Sequence, residues 1–392
     1  MTASETVVPS LPNGRAIDVA RSEPRGTSCK GSIYVVCAYI LLLALTIRVG
    51  LIFATGSYRI RLASEVEAVA NSLAQGRGFA NAFGNTGPTA HMSPLYPLIL
   101  SIVYRYYHSD TERQIGQEVL SSFLGAMTWA LIPLLGEVCR LERRIGIAAA
   151  LAGTLCINRW AETKGWFETA LAGLMCIVVV IFFMKCWYSR DFSARYALVV
   201  GGMSGLAILA SGSLAVIALG LLVTGYVLFR AYAPAKYLRF ALISASVMFA
   251  VLLPWALRNY FVLGGFVWTR SNLPLELWVS NNDDARANFE DNEPAQFKRH
   301  PFVNPEQRRA IKTMGELAYQ QELRGKALGW IASHPKRFAW LTLQRTYYFW
   351  FPKMKRPIQS IVLGFLTISS IPGLILLLKR KQPLATACLQ SC

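Results

Sequence analysis

Two carboxylates stand out by position: Glu65, in Ser64-Glu-Val-Glu67, and Glu168, in Trp166-Phe-Glu-Thr169. A carboxylate held near a reacting hydroxyl can accept its proton, so both are candidates for general base work. Ser64 and Glu67 have capping-box spacing and open an amphipathic helix with apolar Val66, Val69, Ala70 and Leu73 at i, i+3, i+4 and i+7, closing at Gly76. Glu65 is not needed for the box and points about 200° around the helix from Glu67. Read as structure alone, Glu65 is a carboxylate favoured by the helix dipole. Glu168 opens an apolar run, where an ionisable group is costly and marks a site. Its structural alternative is a helix cap.

Other chemistries find less support. His108, His300 and His334 are scattered, with no H-x-x-x-H or HExxH, so no built-in metal site is expected. Asp283-Asp284 follows Asn281-Asn282 and reads as a solvated turn, which leaves a divalent cation open without indicating one. There is no P-loop, and Gly76-x-Gly78 lacks the third glycine of a dinucleotide fingerprint, so a soluble nucleotide sugar is not the favoured donor. Eight cysteines form no CxxC pair.

The elements that must position these groups are membrane helices. Of 392 residues, 54% are apolar and 16% charged, well under the quarter usual in soluble chains. Runs such as 33–54 and 358–378 are long enough to cross a hydrocarbon core about 30 Å thick. The net charge of +18 is best explained by basic residues beside apolar runs, and no nucleic-acid module is visible. Placing the short basic connections 140–144, 185–195 and 230–239 and the cluster after Lys379 in the cytoplasm gives eight crossings with both termini inside. The expected spans are 33–54, 119–138, 145–159, 167–187, 196–211, 213–230, 238–256 and 358–378. The stretch 196–231 would make one helix about 54 Å long, so it must break near Ser211-Gly-Ser213.

The expected organisation is a polar cytoplasmic tail (1–32), a transmembrane core (33–256) with a first periplasmic loop at 55–118, a periplasmic segment with interfacial helices (257–357), a last span (358–378) and a cytoplasmic tail (379–392). The first span reads as a signal anchor. Segments 94–107 and 337–351 read as helices at the interface, where tyrosine is favoured.

Taken together, E-x-x-x-x-A-x-x-L-x-x-G-x-G-F from Glu65, then Gly87-Pro-Thr-Ala90 and Pro94-Leu-Tyr-Pro97, resemble the first outer loop of polytopic glycosyltransferases of the GT-C superfamily. The branch is glycosyltransferase family 39, related to protein mannosyltransferases and lipid A aminoarabinose transferases. Pro254-Trp-Ala-Leu-Arg-Asn259, Arg270-Ser-Asn272, Met314-Gly-Glu-Leu-Ala-Tyr319 and His334-Pro335 extend the resemblance over residues 33–378.

The resemblance implies an all-α, GT-C-like bundle of about eight transmembrane helices with juxtamembrane helices in a long first loop. It implies an enzyme of the inner (plasma) membrane whose site faces the periplasm, transferring a sugar with inversion from a polyprenyl-phosphate donor to a lipid, glycan or protein acceptor. The family's loop acid is usually aspartate. Here Glu65 matches it, with no aspartate between Asp18 and Asp110, and Glu168 matches a second loop acid. The leaving lipid phosphate needs cationic partners, for which Arg258 is the first choice, then His91 and Arg270, with Tyr96 and Asn259 added from the motifs. As structure alone, Arg258 is a snorkelling cation at a helix C-terminus. The sequence stops soon after Lys381, where family members continue, and so reads as a short or truncated member. A lipid or solute transporter and a non-catalytic relative are the alternatives. No internal repeat favours the transporter.

Overall fold

A computed structural model describes residues 31–60, 63–155, 164–165, 167–353 and 357–379. Its described residues form sixteen α-helices and no strand, only an isolated bridge between Ala80 and Pro88. The bundle helices are α1 (Gly31–Thr55), α4 (Asp110–Ala130) continued by α5 (Ile132–Val138), α6 (Arg143–Leu155), α7 (Thr169–Ser189), α8 (Ala194–Ala210), α9 (Leu214–Phe229) and α10 (Pro234–Leu263), while α16 (Pro357–Lys379) stands beside them, its Thr367 Oγ1 donating to Trp350 O at 2.9 Å.

Among the described residues, five helical stretches are long and apolar enough to cross a bilayer: Ile33–Thr55, Asp110–Val138, Thr169–Ser189, Pro234–Leu263 and Ser360–Lys379. The apolar α8 and α9 are shorter, 17 and 16 residues. Apolar side chains such as Leu42 and Phe53 of α1, Phe249 of α10 and Phe365 of α16 stay exposed, as suits helices bathed in lipid. The chain is thus an all-helical membrane protein.

The expected break between residues 211 and 213 is present, with Ser211 in an extended conformation capping α8. Other boundaries move. The second span begins at Asp110 rather than 119, because Ser109 and Glu112 complete a capping box that carries the helix outward through a polar turn. The seventh runs on to Leu263, ended by Gly264 at φ 78°. In the third, α6 covers 143–155, and 156–159 lie outside the described residues.

Close helix contact depends on small residues. A side chain at Gly205 of α8 would lie 2.7 Å from Val251 Cβ of α10, and one at Gly201 would meet the Ser244 backbone. These two glycines, four apart, let α8 and α10 touch along their backbones. Ser244 Oγ donates to Ala197 O at 3.1 Å across the same seam. A second core of Phe183, Trp187, Phe192, Phe229, Tyr237 and Phe240 closes the end of the bundle formed by the connections 190–193 and 230–233.

The two long connecting segments fold together over the other end. The first contains α2 (Glu65–Ala74) and α3 (Leu95–Tyr106), and the second α11 (Leu273–Ser280), α12 (Phe289–Arg299), α13 (Pro305–Met314), α14 (Glu316–Ser333) and α15 (Pro335–Trp350). Val66, Val69, Phe79, Phe83 and Tyr96 of the first segment share one core with Leu171 and Leu174 of α7 and with Leu275, Ile311, Tyr319 and Leu323 of the second. That shared core positions the site. The 12-residue α3 spans about 18 Å, too short to cross, and buries Tyr96, Leu100 and Tyr104 while exposing Leu98, Ile102 and Tyr106. The amphipathic α15 exposes Trp340, Leu343, Tyr347 and Phe349.

Candidate functional site

Where the two segments meet the bundle end there is a cavity of about 570 Å³. Glu65 from the first turn of α2, His91 from the loop before α3, Glu168 at the N-cap of α7, Arg270 after α10, Glu276 of α11 and His300 after α12 all line it. Met92, Ala172, Val279 and Phe302 supply apolar wall. The break between α8 and α9 adds Ser211 and Ser213.

The base of α2 is fixed from below. Ser64 Oγ accepts from Glu67 N at 3.3 Å, the expected cap. Glu67 Oε1 accepts from Gln117 Nε2 of α4 at 3.2 Å, and the same nitrogen donates to Gly165 O at 3.0 Å. The next residue, Glu118, pairs with Lys164 at 2.9 Å and accepts from Gln114 at 3.0 Å and from Ser57 Oγ. Lys164 also donates to Ser57 O and, at 2.8 Å, to Ile60 O. Both charges are almost fully enclosed, with side-chain exposures of 4% and 0%. This hub ties the end of α1, α4 and the turn before α7 to the helix that carries Glu65.

Glu65 is 9% exposed. Burial raises its carboxyl to about 7, aided by the charges of Glu276 and Glu168 and opposed by its own backbone N–H and by Arg270. Its Oε1 lies 3.7 Å from His300 Nδ1, too far for a hydrogen bond. Burial also lowers His300 to about 4 and His91 well below the usual imidazole value. His300 Nδ1 accepts from Phe302 N at 3.2 Å, so Nδ1 is the unprotonated nitrogen. His91 packs its ring 4.6 Å from that of Phe83, and its Nδ1 is buried without a hydrogen-bond partner.

Across the cavity, Arg270 pairs with Glu168 at 3.0 Å and donates to Asn272 Oδ1 at 2.6 Å. Asn272 in turn donates to Glu276 at 3.2 Å. Burial raises the Glu276 carboxyl, with Arg270 opposing. Behind His91, Glu316 accepts from Ala90 N at 2.8 Å, from Ser271 Oγ at 2.7 Å and from Thr89 Oγ1, which pins the 89–91 turn to α14. Burial raises Glu316 as well, against the pull of these donors and of Arg258.

Of the residues expected from sequence, Glu65, Glu168, His91 and Arg270 come together in the cavity. Three do not line it. Arg258 spends its guanidinium on Thr89 O and Phe79 O, each at 2.7 Å, and on Asn259 Oδ1 at 2.9 Å, stacked over Trp255. It is a strut between α10 and the first segment, because the 79–89 loop folds back to meet the end of α10. Asn259 is fully buried and donates to Val267 O at 2.8 Å. Tyr96 is fully buried and donates to Gly165 O at 3.1 Å. Arg258→Ala is therefore expected to speed amide hydrogen exchange across residues 79–91, with Arg258→Lys a poor substitute for its two-carbonyl fork. Unchanged exchange in that loop would return Arg258 to a ligand role.

The cluster of Glu65, His91 and His300 offers three ligand atoms within 4.8 Å of one another, a grouping the scattered histidines did not announce. Asp283-Asp284 keeps its turn reading, since Asn282 Oδ1 accepts from Asp284 N at 3.0 Å and Asp284 pairs with Arg299 at 2.6 Å. Glu276 and His300 entered the site unforeseen. Glu276 stands four residues beyond Arg270-Ser-Asn272, while His300 had no local signal.

Comparison of the chain with protein-family models, curated proteins and solved structures finds no match. What the fold and the site define is a class: a helical membrane protein with a polar cavity at one end of its bundle, roofed by two long connecting segments.

Proposed function

We propose that this protein is a GT-C-like membrane glycosyltransferase that moves a sugar from a polyprenyl-phosphate donor to an acceptor hydroxyl, with inversion. The observation that carries the reading is the cavity itself, which combines a buried carboxylate, a guanidinium–carboxylate pair and apolar wall at the mouth of lipid-exposed helices. A lipid-linked sugar phosphate has matching parts: an apolar tail, an anionic phosphate and a hydroxylated ring.

In this reading the chain crosses eight times, with α8 and α9 as short spans and the cavity facing the periplasm or exterior, opposite the basic connections. The lipid headgroup enters between the bundle end and the roof. Arg270 faces the phosphate, and its Glu168 partner holds the guanidinium in place. Glu65 takes the acceptor's proton as its oxygen attacks the anomeric carbon from the side opposite the departing phosphate. Placement at the bundle end, rather than at the bilayer midplane between broken repeats, favours an enzyme over a transporter.

The test is incubation of purified protein in lipid with a panel of radiolabelled polyprenyl-phosphate sugars. Label is expected to leave one of these donors and appear on an acceptor or in water. Retention of label on every donor would overturn the reading.

A further inference from the structure

Glu65, His91 and His300 come from three separate elements, α2, the loop before α3 and the turn after α12, yet meet on one cavity wall. The His300 Nδ1 lone pair lies 3.7 Å from a Glu65 carboxylate oxygen. Two ligands of one tetrahedral ion with bonds of about 2.0–2.1 Å stand about 3.4 Å apart. The 3.7 Å pair nearly satisfies that spacing already, and the widest separation in the trio, within 4.8 Å, closes by about 1.4 Å when an imidazole turns about its χ angles. His91 Nδ1 is buried without a partner, an independent sign that this imidazole lacks a group it would meet, since buried polar atoms are nearly always satisfied.

We infer that Glu65, His91 and His300 form a binding site for a divalent transition-metal ion of the zinc class, with a fourth position open to the cavity. Two imidazoles and one carboxylate are the donor set that zinc takes where it keeps an exchangeable ligand, and the nitrogen donors disfavour magnesium and calcium. The ion takes the lone pair that Phe302 N–H now shares at His300 Nδ1. Its open position faces the same cavity as Arg270, so it adds positive charge where Arg258, committed to carbonyls, supplies none. The ligand class for that position is a phosphate or hydroxyl oxygen. A carboxylate has two oxygens, so Glu65 can hold the ion with one and receive a proton with the other, while the ion acidifies a bound hydroxyl. This catalytic consequence rests on the transferase reading, whereas the ion's binding does not.

The test uses the full, untagged chain in detergent, stripped with a chelator and titrated with Zn²⁺ by calorimetry. One equivalent is expected to bind. His91→Gln and His300→Gln should each weaken it more than about 100-fold, and His334→Gln, on an exposed histidine outside the cavity, should leave it unchanged. X-ray absorption of the zinc-loaded wild type guards against variants that fail to fold, and should show two imidazoles and a carboxylate oxygen at about 2.0–2.1 Å. Absence of stoichiometric binding, or a shell without imidazole, would overturn the site. Neither result bears on sugar transfer, which the labelled donors read separately.

Discussion

Glu65→Gln is expected to slow sugar transfer by about 10²–10⁴-fold, the range lost when a positioned base is removed, while donor affinity, compared on chelator-stripped proteins, changes little. The amide keeps the size and shape of the carboxylate in its enclosed pocket and removes its charge, and with it the capacity to accept a proton and to hold an ion. Glu168→Gln should behave differently. It loosens Arg270, the cation facing the phosphate, so the larger change falls on donor binding. Steady-state rates and binding measured on the two correctly folded variants separate these roles. Wild-type turnover in Glu65→Gln would remove that residue from the reaction.

A comparably large effect is expected on stability rather than rate. Lys164→Met leaves Glu118 enclosed with its charge uncompensated, a change that typically costs about 3–5 kcal/mol when one partner of a buried pair is removed. Ser57 and Gln114 still donate to Glu118, but hydrogen bonds alone do not neutralise it. The double variant Lys164→Met with Glu118→Gln should regain most of the loss, because no buried charge then remains. Denaturation midpoints of the purified protein decide this, and a neutral single variant would mean that water reaches Glu118. Since the hub also anchors α2 through Gln117 and Glu67, its loosening should lower activity in step with stability.

The sequence makes some of this architecture legible and hides the rest for a physical reason. Local signals translate directly. The Ser64 cap opens α2 at Glu65, the helix closes by Gly76, and the overlong apolar stretch breaks between residues 211 and 213 because one helix could not fit the bilayer. The start of α4 was hidden because hydropathy registers only its apolar part, while its polar first turns carry Gln114, Gln117 and Glu118 into the buried hub. For Arg258 the sequence shows a cation at a helix end but not the carbonyls that capture it, which depend on how the 79–89 loop folds. His300 illustrates the same limit. Its partners Glu65 and His91 stand far away in the chain, and only the shared core of the two long segments brings them together. Residue type and local spacing select Glu65 and Glu168, and tertiary packing decides which cations and imidazoles face them.

A second cavity at the same bundle end, about 610 Å³ in volume and lined by Thr86, Pro88, Leu263, Lys312 and Leu317, lies behind the Glu316 partition and gives the account a sharp alternative. The most direct measurement is photo-crosslinking with a polyprenyl-phosphate donor that carries a photoreactive group on its sugar, followed by peptide mapping. Adducts are expected on the segments around Glu65, His91 and Arg270. Adducts confined to residues 85–88 and 311–318, or none that an excess of unmodified donor displaces, would contradict the transferase reading.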